Sequence, residues 1–193
     1  VDPARQAGHT DSFLVGMGGS RLGAEVVRDI PIGKSRERCS LTVLDTTDER
    51  AIVDVTDNLR PEKSLFIVAS KSGTTVEVSA LEQYFWSVMS LVHGQAAGQH
   101  FVAITDPKTP LEAHAANNKY RRTFLSPPSV GGRYSVLSHF GLVAAALLGV
   151  DIGALMKHAR RMADDCRGNI ASNPGLALGA FIGGQAKLGR GKR

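Results

Sequence analysis

Short apolar runs alternate with stretches of helical periodicity along the first 150 residues. The apolar runs are continuous rather than alternating, which is typical of strands covered on both faces of a parallel sheet. They predict strands at residues 13–16, 41–44, 65–69, 101–105 and 123–125. The intervening stretches, several of which begin with capping residues, predict helices at about 22–30, 48–59, 75–93, 109–118 and 135–149.

Repeated β-α units of this length predict an α/β fold, a three-layer α/β/α sandwich around a five-stranded parallel sheet. Five such strands suit the flavodoxin-like order 2-1-3-4-5. Beyond residue 150 the pattern predicts helices alone, at about 152–166 and 175–188. We therefore expect one domain at residues 1–150 and a helical extension at residues 151–193.

Composition and charge narrow the function classes. The 193 residues are 42% hydrophobic, which excludes a disordered chain, and their net charge is +5. Residues 1–150 contain 15 basic and 15 acidic residues, whereas residues 151–193 contain 8 and 3. The excess charge therefore lies outside the predicted domain, and we expect no nucleic-acid partner.

The two cysteines and the longest apolar run bear on the cellular compartment and on whether the chain crosses a membrane. Cys39 and Cys166 are far apart and lack metal-ligand spacing, which suits a reducing environment. The uncharged run at residues 140–150 is too short to cross a bilayer, and no secretory signal opens the sequence. We expect a cytoplasmic protein without a membrane partner, a metal or a cofactor.

A glycine-rich loop, Gly16 to Gly23, follows the first predicted strand and opens a helix. Its exposed N–H groups and the helix start favour an anion, although a tight turn without a ligand fits the spacing equally well. A dinucleotide fingerprint requires glycine where Arg21 stands. Asp45, near the end of the second strand, keeps that alternative only weakly open.

A loop rich in hydroxyl groups, SKSGTTVE at residues 70–77, follows the third predicted strand. Ligands bind beyond the carboxyl ends of parallel strands, and hydroxyl, N–H and lysine donors suit phosphate oxygens. The alternative is helix capping by Thr74 or Thr75, with Glu77 completing a capping box. The surplus of hydroxyl groups favours phosphate binding.

A third motif, VGGRYS at residues 130–135, follows the fifth predicted strand. Taken alone, Arg133 is a cation that either pairs with a carbonyl at the sheet end or stabilises a developing oxyanion. The first two loops resemble those of the SIS domain, which binds phosphosugars, and VGGRYS resembles the signature of the glucose-6-phosphate isomerase family. FGLVAAALLGVD, at residues 140–151, resembles the bacterial isomerases fused behind a transaldolase.

The resemblance, which covers nearly the whole chain, implies interconversion of glucose 6-phosphate and fructose 6-phosphate through an enediolate. It implies that Arg133 steadies the enediolate and that Glu77 orients a catalytic histidine. Eukaryotic members have a bulky aromatic residue where Gly73 stands, and the bacterial fused forms have glycine. The implied substrate-binding residues are Gly19, Ser20, Ser70, Lys71, Ser72, Thr75 and Gly132.

In the family, the glutamate base, the histidine and a lysine lie beyond the first SIS domain, and no histidine of this chain stands in a matching motif. We therefore expect this chain to be the N-terminal part of a homodimeric enzyme, with the extension leading to a second SIS domain. The main alternative is a non-catalytic phosphosugar sensor. This hypothesis accounts for the first two motifs, but it assigns no function to Arg133. A flavodoxin-like nucleotide or flavin protein is disfavoured by the failed fingerprint.

Overall fold

The computed structural model describes residues 8–30, 39–169 and 172–190. The chain divides into two compact units, Val1–Asp151 and Ile152–Arg193. No helix in the described part of the chain combines the length and the apolarity that crossing a bilayer requires.

Five parallel strands form the sheet of the first unit in the order β2-β1-β3-β4-β5, which confirms the predicted fold class and strand order. In this register Gly16 at the end of β1 lies opposite Ala69 at the end of β3, so the loops after these strands leave the sheet side by side. The strands are β1 Asp11–Gly16, β2 Ser40–Leu44, β3 Ser64–Ala69, β4 Phe101–Thr105 and β5 Arg122–Leu125.

Helices follow the strands much as the periodicity predicts. In the described part of the first unit, the 3-10 helices are Pro61–Lys63, Gly94–His100 and Gly132–Leu137. The α-helices in the same residues are α1 Gly19–Asp29, α2 Glu49–Asp57, α3 Val76–His93, α4 Pro110–Asn117 and α5 His139–Leu147. The second unit contains α6 Ile152–Asp165 and α7 Pro174–Lys187.

The helix predicted at 135–149 is wrong in its first turn. Residues Gly132–Leu137 form a 3-10 helix, and α5 begins only after Ser138, whose Oγ accepts a hydrogen bond from the Phe140 N–H at 3.3 Å. The backbone turns sharply here, since a methyl group on Gly141 would lie 2.1 Å from the Val136 carbonyl oxygen. This turn separates α5 from the 3-10 helix that contains Arg133.

The three central strands β1, β3 and β4 are buried on both faces, as the continuous apolar runs predict, whereas the edge strand β5 has no buried residue. On one face Phe66 is fully buried, and its ring centroid lies 5.1 Å from Phe13, 4.8 Å from Phe85 of α3 and 5.2 Å from Phe101. On the other face α1 packs against α5 and against the 3-10 helix Gly132–Leu137. This second packing carries the VGGRYS motif to the start of α1.

Candidate functional site

The three motifs converge at the carboxyl edge of the sheet. The segment after β5 starts beside β4, where the Ser126 N–H donates to the Thr105 carbonyl oxygen at 2.8 Å. It then passes the hydroxyl loop, where the Lys71 ammonium donates to the Pro128 carbonyl oxygen at 3.0 Å. It ends against the loop after β1, because the backbone of Gly132 contacts Gly19.

The contact between Gly19 and Gly132 is too close for a side chain on Gly19. A methyl group there would lie 2.6 Å from the Gly132 carbonyl carbon and 2.9 Å from the Arg133 backbone nitrogen. The resemblance implies that both glycines border the substrate. The structure adds a separate requirement for glycine at position 19, because only a residue without Cβ permits this approach of the two loops.

The hydroxyl loop is organised around Ser70, whose side chain is buried. The Ser70 N–H donates to the Ile104 carbonyl oxygen at 3.1 Å, and Ser70 Oγ accepts from the Gly73 N–H at 3.1 Å. A third hydrogen bond of 3.1 Å joins Ser70 Oγ to Thr75 Oγ1. These bonds hold the loop in a compact turn at the start of α3.

The capping box, which is the alternative interpretation of this loop, does not form, although one of its candidate residues is at the cap position. Thr75 is the N-cap residue, but its side chain makes no capping hydrogen bond and bonds to Ser70 instead. Glu77 consequently occupies the second helical position, whereas a capping box requires the third. The first N–H groups of this 18-residue helix therefore receive no bond from the Thr75 side chain, and they are donors available to an anion.

Gly73 closes the loop against α4. It has a φ of +68°, and a methyl group on it would lie 2.8 Å from Thr109 Cβ and 2.9 Å from the Leu111 nitrogen. An aromatic side chain at this position would require another arrangement of the loop and α4. Beside Gly73, Ser72 is exposed, and its Oγ accepts hydrogen bonds from the Thr74 hydroxyl at 3.0 Å and the Thr74 N–H at 3.3 Å.

The remaining predicted residues differ in their surroundings. Arg133 and Glu77 are exposed, and neither side chain has a hydrogen bond or an ion pair within the described residues. The carbonyl partner considered for Arg133 is therefore not found there. Ser20 is half-buried at the first turn of α1. Lys71 forms an ion pair with Asp106, a residue that the sequence reasoning missed although it directly follows β4.

A cavity of about 210 Å³ lies behind the hydroxyl loop, between α3 and α4. Ser70, Gly73 and Glu82 form part of its wall. Buried Glu82 accepts a hydrogen bond from the Tyr120 hydroxyl at 2.6 Å and contacts His114 Nε2 at 3.0 Å. Burial, together with the charge of Glu82, raises the pKa of Tyr120 above its ordinary value, so that Tyr120 is a neutral donor.

Comparison with known proteins identifies the family to which this arrangement of loops belongs. The family model for phosphoglucose isomerase matches residues 6–174. The chain belongs to this family.

Curated relatives of this chain are named glucose-6-phosphate isomerase. The protein of Thermosynechococcus vestitus is 36% identical over 97% of this chain and 36% of its own length. That of Campylobacter jejuni is 33% identical over 79% of this chain and 37% of its own length. The chain thus spans less than half the length of these curated relatives.

Solved structures agree with the family assignment. A hypothetical protein from Thermus thermophilus matches 96% of this chain and 44% of its own with a TM-score of 0.88 and 30% identity. A glucose-6-phosphate isomerase from Chlamydia trachomatis matches 96% of this chain and 35% of its own with a TM-score of 0.80 and 25% identity. The resemblance stated for the three motifs is confirmed at the level of the family and of the SIS-type fold.

The first loop of this family member lacks the features of a dinucleotide site. Arg21, which stands where the fingerprint requires glycine, forms an ion pair with Asp45 Oδ2 at 3.0 Å and another with Glu25. Asp45 is thus already paired with a cation. No group of three or more His, Cys, Asp or Glu side chains within residues 8–30, 39–169 and 172–190 has the arrangement of a metal site.

Proposed function

We propose that this chain supplies the phosphate-binding and enediolate-stabilising part of a glucose-6-phosphate isomerase. The proposal rests on one observation above all: the backbone contact between Gly19 and Gly132 brings the VGGRYS loop to the loop after β1, beside the hydroxyl loop. When one sugar phosphate is bound, its phosphate group would lie at the hydroxyl loop and its reacting carbons near the VGGRYS loop.

The hydroxyl loop and the start of α3 form the phosphate subsite of this proposal. A phosphate dianion needs several donors at once, and here hydroxyl groups adjoin the open N–H groups at the positive end of a long helix. No metal is needed for such recognition. The proposed side-chain donors are Ser20, Ser70, Ser72 and Thr75, and Lys71 is the cation of the same loop.

Arg133 is the proposed electrostatic catalyst. Isomerisation moves a proton between C1 and C2, so negative charge develops on oxygen in the enediolate. An exposed guanidinium with no competing carboxylate among the described residues is available to that charge, and it stabilises the enediolate more than the neutral carbonyl form. Glu77 lies near the start of α3, where we propose that it orients a catalytic histidine supplied from elsewhere in the enzyme.

Aldose–ketose isomerisation also requires a base and a group that opens the sugar ring. We assign neither role to a residue of this chain. We propose that both come from the part of the isomerase that the chain does not span, in a cytoplasmic homodimer that takes a sugar phosphate without a cofactor.

The test is a ¹⁵N NMR titration of the chain with 6-phosphogluconate, which cannot isomerise. We expect saturable shifts of amides at residues 70–76 and 132–133. A Ser70→Ala/Ser72→Ala/Arg133→Ala variant loses this binding, whereas the control Ser87→Ala, on the exposed side of α3, retains it. Wild-type affinity in the triple variant would contradict the proposal.

A second arm separates the two subsites. A phosphorylated hydroxamate that mimics the enediolate should bind the wild-type chain more tightly than 6-phosphogluconate does, because it resembles the transition state. Arg133→Met should remove that advantage, because Arg133 belongs to the proposed enediolate subsite. The affinity for inorganic phosphate should stay within about twofold of wild type, because the proposed phosphate subsite is formed by other residues. If Arg133→Met lost the same affinity for inorganic phosphate as for the hydroxamate, Arg133 would belong to the phosphate subsite.

A further inference from the structure

Among the residues predicted to bind phosphate, Lys71 is the one with a charged side chain. Its ammonium group already contacts two other parts of the domain. Its ammonium pairs with the Asp106 carboxylate and donates to the Pro128 carbonyl oxygen at 3.0 Å. These three residues follow β3, β4 and β5 respectively. One side chain thus joins the three strand-end loops.

The backbone of the same residue reinforces this connection. The Lys71 carbonyl oxygen accepts a hydrogen bond from the Asp106 N–H at 3.2 Å and a longer one from the Thr105 hydroxyl at 3.5 Å. Lys71 and Asp106 are therefore linked through both backbone and side chains. Such a double link fixes the direction of the Lys71 side chain more firmly than a single surface ion pair does.

Asp106 depends on Lys71 for compensation of its charge. The Asp106 side chain is only 15% exposed, and its Oδ1 atom is buried without a hydrogen bond from any described residue. A phosphate that drew the ammonium away would leave this half-buried carboxylate unpaired. Removing one partner of such a partly buried pair leaves the other charge poorly compensated, so the pair resists exchange with a ligand.

We propose that Asp106 is a positioning residue, which through Lys71 holds the hydroxyl loop in its phosphate-binding form and keeps the Lys71 ammonium off the phosphate. The inference rests on the proposed function of that loop. Phosphate is then recognised by directional hydroxyl and N–H donors, while the Lys71 charge is neutralised locally. An unpaired lysine would instead attract any anion as a point charge.

The test compares Asp106→Asn, Lys71→Met and their double variant by calorimetric titration with 6-phosphogluconate at two salt concentrations. We expect each single variant to bind about tenfold more weakly, and the double variant to bind no more weakly than either, because both changes break one link. In the double variant, which has the same net charge as wild type, the salt dependence of affinity should stay as in wild type. Lys71→Arg, which keeps the pair, should retain most of the affinity.

A direct role of Lys71 predicts the opposite pattern. Asp106→Asn would then keep or raise the affinity for 6-phosphogluconate, because the ammonium would bind the phosphate without competition from the carboxylate, and the double variant would show a flatter salt dependence than wild type. That result would overturn the proposal, as would full affinity in Asp106→Asn with loss in Lys71→Met. Asp57→Asn, at the exposed end of α2, is the matched control for removal of one negative charge.

A readout without ligand separates this inference from the proposed function. Amide hydrogen exchange of Gly73 and Thr74 should become at least several-fold faster in Asp106→Asn if the link holds the loop. If the wild-type chain binds no phosphate probe but this acceleration is seen, the proposed function fails and the link stands. Unchanged exchange in Asp106→Asn and Lys71→Met overturns the link itself.

Discussion

Substitution of Gly19 by alanine tests the contact on which the assembled site depends. The added methyl group would meet three backbone atoms, the nearest at 2.6 Å and the others at 2.9 and 3.0 Å. Ordinary contact begins at 3.4 Å, so the loop at Gly132 must retreat by roughly 0.8 Å. Backbone atoms cannot rotate away as a flexible side chain can.

Overpacking of this kind costs about 1–3 kcal/mol of unfolding free energy. For a domain of about 150 residues each kcal/mol lowers the melting temperature by about 2–4 °C, and we expect a fall of about 5 °C. The same movement carries the backbone of Arg133 away from the loop after β1, and so from Ser20, a proposed phosphate donor. Misplacement by nearly 1 Å should weaken binding of the enediolate mimic by one to two orders of magnitude.

Gly131→Ala is the matched control, because it adds the same methyl group to the same motif. The nearest atom to that methyl is Tyr134 Cδ2, at an ordinary 3.5 Å, and Gly131 has a φ of −65° that alanine adopts freely. Thermal unfolding followed by circular dichroism measures the first effect, and calorimetry with the mimic measures the second. A Gly19→Ala chain that melts and binds like Gly131→Ala would refute the reasoning.

Three further predictions concern parts of the chain away from the proposed site. Burial, aided by the positive charge of Arg121 and by His100, lowers the pKa of His9 from 6.5 to about 4. Because only the unfolded chain binds this proton between those values, stability should fall by up to about 3 kcal/mol as the pH drops from 6.5 to 4. Urea unfolding at pH 7 and at about pH 4.5 measures this loss, and His9→Phe should reduce it; an unaltered pH dependence in that variant would rule His9 out. Tyr120→Phe removes a donor to buried Glu82 and should cost about 1–3 kcal/mol, against less than about 0.5 kcal/mol for Tyr84→Phe, whose hydroxyl bonds to Thr56 in an exposed position. Similar denaturation midpoints for these two variants would argue against the importance of the Glu82 contact. Gly183→Ala lies in α7, where an added methyl group has no atom of a described residue within 4 Å apart from the neighbouring helix backbone. The substitution should stabilise the helix by about 0.5–1 kcal/mol, and a weaker far-UV helical signal would contradict this.

The local pattern of the sequence predicts strands better than the ends of helices. β4 matches its apolar run residue for residue, because every side chain of Phe101–Thr105 is buried between two helical layers. β1 begins two residues earlier than predicted, at Asp11. The polar residue that hides this extension is Ser12, which is buried and donates to the Ser40 carbonyl oxygen of the neighbouring strand. A polar residue that finds a partner across the sheet is invisible to a hydrophobic pattern.

The motifs were recognisable as chemistry, but their internal bonding was not. SKSGTT predicts either phosphate binding or helix capping, and both interpretations need only residue types and spacing. Thr75 does not cap with its side chain because Ser70 Oγ lies 3.1 Å away and takes up its hydroxyl. Which of two nearby acceptors a hydroxyl uses depends on the path of the backbone between them.

By itself the sequence determined the α/β class, the five parallel strands, their order and the three loops that carry candidate chemistry. The strands and the loops follow from periodicity and residue type, and the order follows from a topology that is usual for five parallel strands of this kind. Only the tertiary structure decided that Gly132 rests on Gly19 and that Lys71 reaches Asp106 and Pro128. The physical reason is that β5 lies at the sheet edge, two strands from β3, and the chain after it returns across β4 and β3 to the end of β1. Contacts between residues 35 to 113 positions apart leave no periodic trace in the chain.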